Sequence, residues 1–334
     1  MYHSPDLDRV LDRAWESGVQ KIIITGGSLS ESEEALKLAL TDDRLFCTVG
    51  CHPTRCDEFE KHPGGPAAYL SALQEILDRG QALKKVVAVG EFGLDYDRLH
   101  FCSAETQKKY FEIQLALVCH SGLPMFLHMR AAAQDFAEIL SRYYTNAAQT
   151  TLTPSCIFSS VPSPNPSSPS PTSSSPSPLL PAFCPSSGVV HSFTGTLDEA
   201  LSILALHPSL FIGLNGCSLR TQESLSVAAA IPSSRVMLET DCPWCEIKNT
   251  HPGKGFIKTV LPVKAVDKKK HSRDAMVKSR NEPSGIRQVL EVFAGAKGIY
   301  DGGRTKEEEG RLTEELAEEI YLNTDKVFFS SARV

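Results

Sequence analysis

Four acidic or imidazole side chains stand at the C-terminal ends of four short apolar runs. Glu91 ends VVAVGE, His128 ends PMFLH, His191 follows GVV and Asp241 ends VMLETD. The polar residue takes the same place relative to its run each time, which points to one site. Two imidazoles and two carboxylates bind divalent ions such as Zn²⁺, Mn²⁺ or Mg²⁺. A carboxylate shared by two ions holds them about 4 Å apart, an arrangement suited to phosphoester hydrolysis. Taken singly, each residue has a plainer role. A strand-end histidine is commonly just half-buried, and a strand-end Asp or Glu can cap the next helix. The joint pattern is what favours a site.

Positioning four such residues requires a regular framework, and the apolar periodicity supplies one. Runs that read as strands lie at 19–25, 45–50, 86–91, 124–128, 188–192, 210–214 and 235–241. Helical spacing separates them, at 5–15, 30–40, 66–79, 104–121, 132–144, 197–206 and 222–230, with two closing helices at 283–296 and 313–327. In the first helix Leu7, Val10, Leu11, Ala14 and Trp15 share a face, Ser4 can cap it, Pro5 suits its first turn and Gly18 can end it. Ser30 and Glu33 are spaced as a capping box. Alternating β and α with continuously apolar strands implies a parallel sheet covered on both faces. Strand C-termini of a (β/α)₈ barrel converge on one catalytic face. The expectation is therefore a TIM-type (β/α)₈ barrel, with a doubly wound open sheet as the competing architecture. Seven strands are visible where a barrel needs eight. Because a helix opens the sequence, the missing one would be strand 1.

The chain has 334 residues and a net charge of −6, with 41% hydrophobic residues. That length suits one barrel of roughly 250 residues plus an insertion. The insertion is expected at 151–187, in one domain spanning 1–334. It is mostly Ser and Pro, and no charged residue lies between Arg142 and Asp198. Such a composition predicts disorder. The negative charge argues against a uniformly basic nucleic-acid binder but leaves room for a local patch. No apolar run approaches the roughly 18 residues of a membrane span. The N-terminus lacks the basic start and apolar core of a signal peptide. Ten scattered cysteines suggest buried thiols of a reducing compartment, so the expected location is intracellular, cytoplasmic or nuclear.

Seven motifs, in order, carry a resemblance. They are GCHPTRCDEFE (50–60), GEFGLDYDR (90–98), LPMFLHMR (123–130), VVHSFTGT (189–196), FIGLNGCSL (211–219), LETDCPW (238–244) and RNEP (280–283). Together they resemble the TatD family of metal-dependent deoxyribonucleases, over nearly the whole chain outside the insertion. The resemblance implies a metal-dependent hydrolase of barrel fold that cleaves DNA phosphodiester bonds, with exonucleolytic action expected. It implies two divalent cations, Mg²⁺, Mn²⁺ or Zn²⁺. Glu91 would bridge them, His128 and His191 would bind one, and Asp241 would bind the other and accept a proton from the attacking water. His52, Asp95, Arg130, Arg280 and Glu282 are expected on the substrate side of the site or in support of it. DNA is the implied partner, with no membrane and no protein partner inferable.

Two departures qualify the expectation. The family's first strand carries an early metal motif, of the His-x-Asp or Asp-x-x-x-Asn kind, and nothing before Val19 matches it. His3 precedes a helix start and does not replace it. Phe92 and Met129 stand beside the ligands where many relatives carry small or thiol side chains. Without strand 1, the second metal is expected to be weak and turnover impaired. Three readings thus remain: a deoxyribonuclease; another hydrolase using the same ligands, on an aminoacyl-tRNA ester or an amide; and an impaired paralogue that retains nucleic-acid binding. Residues 246–280 carry ten Lys/Arg against three Asp/Glu. They follow Asp241 directly and suit a phosphate backbone, or simply a solvated loop. Cys242-Pro-Trp-Cys245 imitates a redox motif, but no strand-to-helix turn follows it. The acidic stretch 306–319 reads as a solvated helix face.

Overall fold

The computed structural model describes residues 5–149 and 187–330. The expected insertion at 151–187 lies outside the described residues except for Ser187, and so does Ser4. The strands are β1 (Ile22–Ile24), β2 (Leu45–Val49), β3 (Val86–Asp95), β4 (Met125–Arg130), β5 (Gly188–His191), β6 (Leu210–Leu214) and β7 (Val236–Leu238). The helices are α1 (Leu7–Glu16), α2 (Leu29–Ala39), α3 (Asp57–Lys61), α4 (Gly65–Ala82), α5 (Ala104–Ser121), α6 (Ala133–Gln149), α7 (Leu197–Leu206), α8 (Gln222–Ala230), α9 (Ile286–Ala296) and α10 (Lys306–Phe328). Seven parallel strands are thus present among the described residues, as the alternation predicted, and helices follow most of them. A two-residue pair, β8 (Ala265–Val266) with β9 (Met276–Val277), crosses the basic segment. Two residues carry no periodicity, so the sequence could not announce it.

The chain divides into two compact units: Ile24–Thr41 with Cys47–Ser187, and Met1–Ile23 with Asp42–Phe46 and Gly188–Val334. In the first, β3 pairs in parallel with β2 (Val49 opposite Val89) and with β4 (Gly93 opposite His128, Asp95 opposite Arg130). Apolar side chains of the helices cover the strands. Phe111 of α5 meets Phe92 at 5.5 Å and Phe136 of α6 at 5.3 Å, all fully buried. The β3–β4 register slips between Gly90 and Phe92, placing Glu91 in a bulge. A bulge re-aims a side chain and is common beside functional sites. Gly93 is required next to it. Its φ is +143°, and a Cβ there would lie 2.0 Å from the His128 carbonyl oxygen.

In the second unit β5, β6 and β7 pair in parallel, with Val190 opposite Ile212 and Leu214 opposite Leu238. Val190, Ile212, Val236 and Phe293 of α9 are fully buried among them. A Cβ on Gly213 would meet the Glu239 carboxylate at 1.7 Å, so only glycine leaves room for that side chain.

Several helix boundaries differ from those predicted. Ser28, not Ser30, caps α2 and accepts the Glu31 N–H. In α1 the buried positions are Arg13 and Ala14, whereas Leu7 is 47% exposed. Ala14 is buried and Val10, Leu11 and Trp15 are half-buried, and an ion pair adds a second anchor. The Arg13 guanidinium donates to both Glu282 oxygens at 2.8 and 3.0 Å. Arg280 donates to both oxygens of Asp6 at 2.7 and 2.8 Å and to Glu282 at 2.8 Å, and His271 lies 3.1 Å from Asp6. Helix α10 begins at Lys306, not at 313, because Thr305 and Glu308 form a capping box there. The acidic first turn is the side of a helix dipole where carboxylates belong.

Candidate metal centre

In the first unit three donors meet. One ligand atom each from His52, Glu91 and His128 lies within 4.8 Å of the others. The bulge in β3 presents Glu91, whose N–H donates to the Gly26 carbonyl at 2.9 Å. β4 presents His128, with Nδ1 2.6 Å from Glu91 Oε1 and Nε2 3.1 Å from Asp95 Oδ2. His52 follows β2, with Nε2 3.7 Å from the same Glu91 oxygen. Its Nδ1 accepts the Thr54 N–H at 3.2 Å and lies 2.7 Å from the Thr54 hydroxyl.

Helix α5 fixes this arrangement through two buried amides seven residues apart. Gln107 accepts the Asp95 N–H at 2.7 Å and donates to the Asp95 carbonyl at 2.9 Å. Gln114 does the same for Cys51, at 2.7 and 3.0 Å, and so holds the residue before His52. Neither glutamine was singled out from the sequence. Two polar residues at i and i+7 on an otherwise apolar face were the available signal.

The electrostatics favour a cation. Burial pushes the His52 imidazole down to about 4, with the Glu91 charge opposing, so the ring is a neutral donor. Burial also disfavours charge on His128, but hydrogen bonds and charges of Asp95 and Glu91 outweigh it and hold its pKa above the ordinary value. Burial alone would raise Asp95; the hydrogen bond and charge of His128, with the Arg98 charge, bring it below the usual carboxylate value. A ring between two carboxylates occupies a place that favours positive charge. Two nitrogens and a carboxylate are a donor set that fits Zn²⁺ or Mn²⁺, with Asp95 as the carboxylate that orients His128.

The second unit repeats the device. His191 ends β5, with Nδ1 2.5 Å from Glu239 Oε2 and Nε2 3.7 Å from Asp241 Oδ1. The Ser192 N–H lies 3.3 Å from both Glu239 oxygens, and Asn215 donates to the Ser192 hydroxyl at 2.8 Å. Each ring thus lies between two carboxylates, His128 between Glu91 and Asp95 and His191 between Glu239 and Asp241. Glu239 was missed in the sequence, although LETD places it on the same strand face as Asp241. Asp241 itself adopts φ +51° three residues beyond the end of β7, a strand that ends earlier than expected. The Cys245 thiol donates to Asp241 Oδ2 at 3.2 Å. Cys245's hydrogen bond with Cys217, burial and the Asp241 charge all raise its pKa and keep it protonated.

Of the residues expected on the substrate side, His52 joins the donor cluster and Asp95 orients a donor. Arg130 lies at the end of β4, 38% exposed, and donates to Asp97 at 2.8 Å. Arg280 and Glu282 sit in the buried ion network with Arg13, Asp6 and His271. Between them, Asn281 donates its side-chain amide to the Thr240 carbonyl at 2.8 Å and its backbone N–H to the Pro243 carbonyl at 3.0 Å. The RNEP segment thus supports the turn that carries Asp241. Cys242 and Cys245 are both free thiols.

Parallel β/α repeats with His–carboxylate pairs at strand ends define a metal-dependent hydrolase of the TIM-barrel class. The family model for TatD related DNase matches residues 2–329, and the chain belongs to that family. It is 39% identical over 322 residues to "Deoxyribonuclease Tat-D" of Schizosaccharomyces pombe, covering 96% of this chain and 87% of the relative. It is 35% identical to "3'-5' ssDNA/RNA exonuclease TatD" of Erwinia tasmaniensis, over 74% of this chain and 77% of the relative. The crystal structure of an uncharacterized amidohydrolase from Saccharomyces cerevisiae superposes with a TM-score of 0.77 at 32% identity, covering 98% and 93%. No described helix is long and apolar enough to cross a membrane.

Proposed function

We propose that this chain hydrolyses phosphodiester bonds of DNA, removing nucleotides from a strand end, with Glu91, His128, His191 and Asp241 as ligands of two divalent ions and His52 beside them. Family membership supports this reading. The observation that carries it is the paired construction of the donors, with His128 held by Asp95 and His191 by Glu239. Such outer carboxylates raise ligand basicity and fix ring orientation. Bound divalent ions supply Lewis-acid stabilisation of charge on the phosphate and an acidified water. The chain's own residues do the rest. Asp241 Oδ1 accepts the proton of the attacking water, and the Cys245 thiol on Oδ2 keeps that carboxylate oriented.

The test is incubation of the purified chain with end-labelled single-stranded DNA and Mg²⁺, Mn²⁺ or Zn²⁺. A ladder of progressively shorter products is expected, abolished by chelation and by Glu91→Gln or His128→Ala. Absence of cleavage with every metal, together with no bound metal by elemental analysis, would overturn the reading. Binding of DNA and metal without cleavage would instead identify an impaired paralogue, the reading that the seven-strand expectation favours. Hydrolysis of an aminoacyl-tRNA ester in preference to DNA would identify the remaining alternative.

A further inference from the structure

Trp244 is 71% exposed, and no Phe, Tyr or Trp among the described residues is more so. A bare indole is an expensive group to leave in water, since a Trp side chain presents roughly 150–250 Å² of mainly apolar surface. Its backbone, by contrast, is fixed. The Trp244 N–H donates to the Asp241 carbonyl at 2.9 Å, closing a four-residue turn. Asn281 grips that turn through the carbonyls of Thr240 and Pro243. Such a turn sets its first and last Cα atoms less than about 7 Å apart. A solvent-facing indole on a fixed backbone turn therefore stands one turn away from Asp241.

We propose that Trp244 is the stacking platform for a nucleobase of a single-stranded substrate whose phosphate lies at Asp241. This rests on the nucleic-acid reading above. A π-face accepts any base, so the contact gives affinity for unpaired strands without sequence preference, and a base held in a duplex stack cannot use it. A divalent ion held at Asp241 would meet the phosphate while Trp244 meets the base of the same strand.

The chain has two tryptophans. Trp15 is half-buried beneath the Arg44 guanidinium, 3.9 Å from its ring. Trp15→Phe therefore makes Trp244 the only indole fluorophore. Trp15→Phe protein, loaded with divalent metal, is titrated with short cleavage-resistant single-stranded phosphorothioate oligothymidylate and with a phosphorothioate abasic strand of equal length. Saturable quenching by the oligothymidylate and none by the abasic strand is expected. In direct binding assays Trp244→Ala should weaken oligothymidylate affinity about tenfold and Trp244→Phe much less. Neither variant should alter affinity for the abasic strand. Unquenched fluorescence on demonstrable DNA binding, or equal weakening for both strands, overturns the stacking role while leaving the nuclease reading intact. A metal-loaded wild-type chain that neither binds nor cleaves DNA overturns both. If Trp244→Ala proves misfolded by circular dichroism, the quenching of the Trp15→Phe protein decides alone.

Discussion

The side-chain amide of Asn281 lies 2.8 Å from the carbonyl oxygen of Thr240 and so holds the residue before Asp241. Asp241 needs such help, because its φ of +51° is a conformation that L-residues with a β-carbon adopt at a cost. Asn281→Ala should lower kcat about tenfold or more with KM little changed, since small misplacements of a reacting group are costly. Stability should fall by only about 1 kcal/mol. In an Asp241→Asn background the same substitution should cost no further activity. Full additivity of the two losses would show that Asn281 acts elsewhere.

Asp95→Asn and Glu239→Gln should each weaken metal binding by about 10- to 100-fold, as loss of an outer carboxylate does. Calorimetric titration of the metal-free variants measures this directly. Both variants should remain folded, because each amide still accepts a hydrogen bond. Unchanged affinity in both would remove the paired construction as the basis of the site.

Asp6 makes acid stability a local property of α1. Burial alone would raise its pKa, but the hydrogen bonds and charges of Arg280 and His271 bring it down from 3.8 to about 2. A folded value below the unfolded one means the stabilisation is complete above about pH 4 and disappears as the pH falls towards 2. Its size is on the order of 2 kcal/mol. Asp6→Asn should therefore be less stable than wild type near neutral pH, with the gap closing in acid. A gap that stays constant between about pH 5 and pH 2 would refute the assignment.

The basic segment is already partly neutralised. Arg280 and His271 meet Asp6, and Arg273 meets Asp8. Lys268, Lys269 and Lys270 form an exposed turn capped by the Asp267 side chain. Replacing these three lysines with glutamine should reduce the log–log salt slope of DNA binding by up to about three. An identical slope would mean that the lysines only solvate the loop.

Much of this arrangement was legible because strands and ligands obey short-range rules. Glu91, His128, His191 and Asp241 were singled out by position, each closing an apolar run, and the structure brings Glu91 and His128 together with His52. Glu239 escaped because a carboxylate two residues from another reads as redundancy until the imidazole between them is placed. Gln107 and Gln114 escaped because their partners are main-chain groups, which sequence does not label. Arg13 was hidden for the opposite reason: charge on a helix face suggests solvent, and only the position of Glu282 shows it to be interior. β7 ends at Leu238, three residues before the left-handed Asp241, and neither feature has a signature in composition.

The Arg13–Glu282 pair joins residues 269 apart in sequence. At synthesis rates of about 5–20 residues per second, Arg13 leaves the ribosome tens of seconds before its carboxylate exists. For that interval the Arg13 guanidinium has no partner, and the buried ion pair that holds α1 cannot form. Docking of α1 through this pair must wait until residue 282 has been made, and a nascent chain halted before residue 282 should still expose α1 to protease.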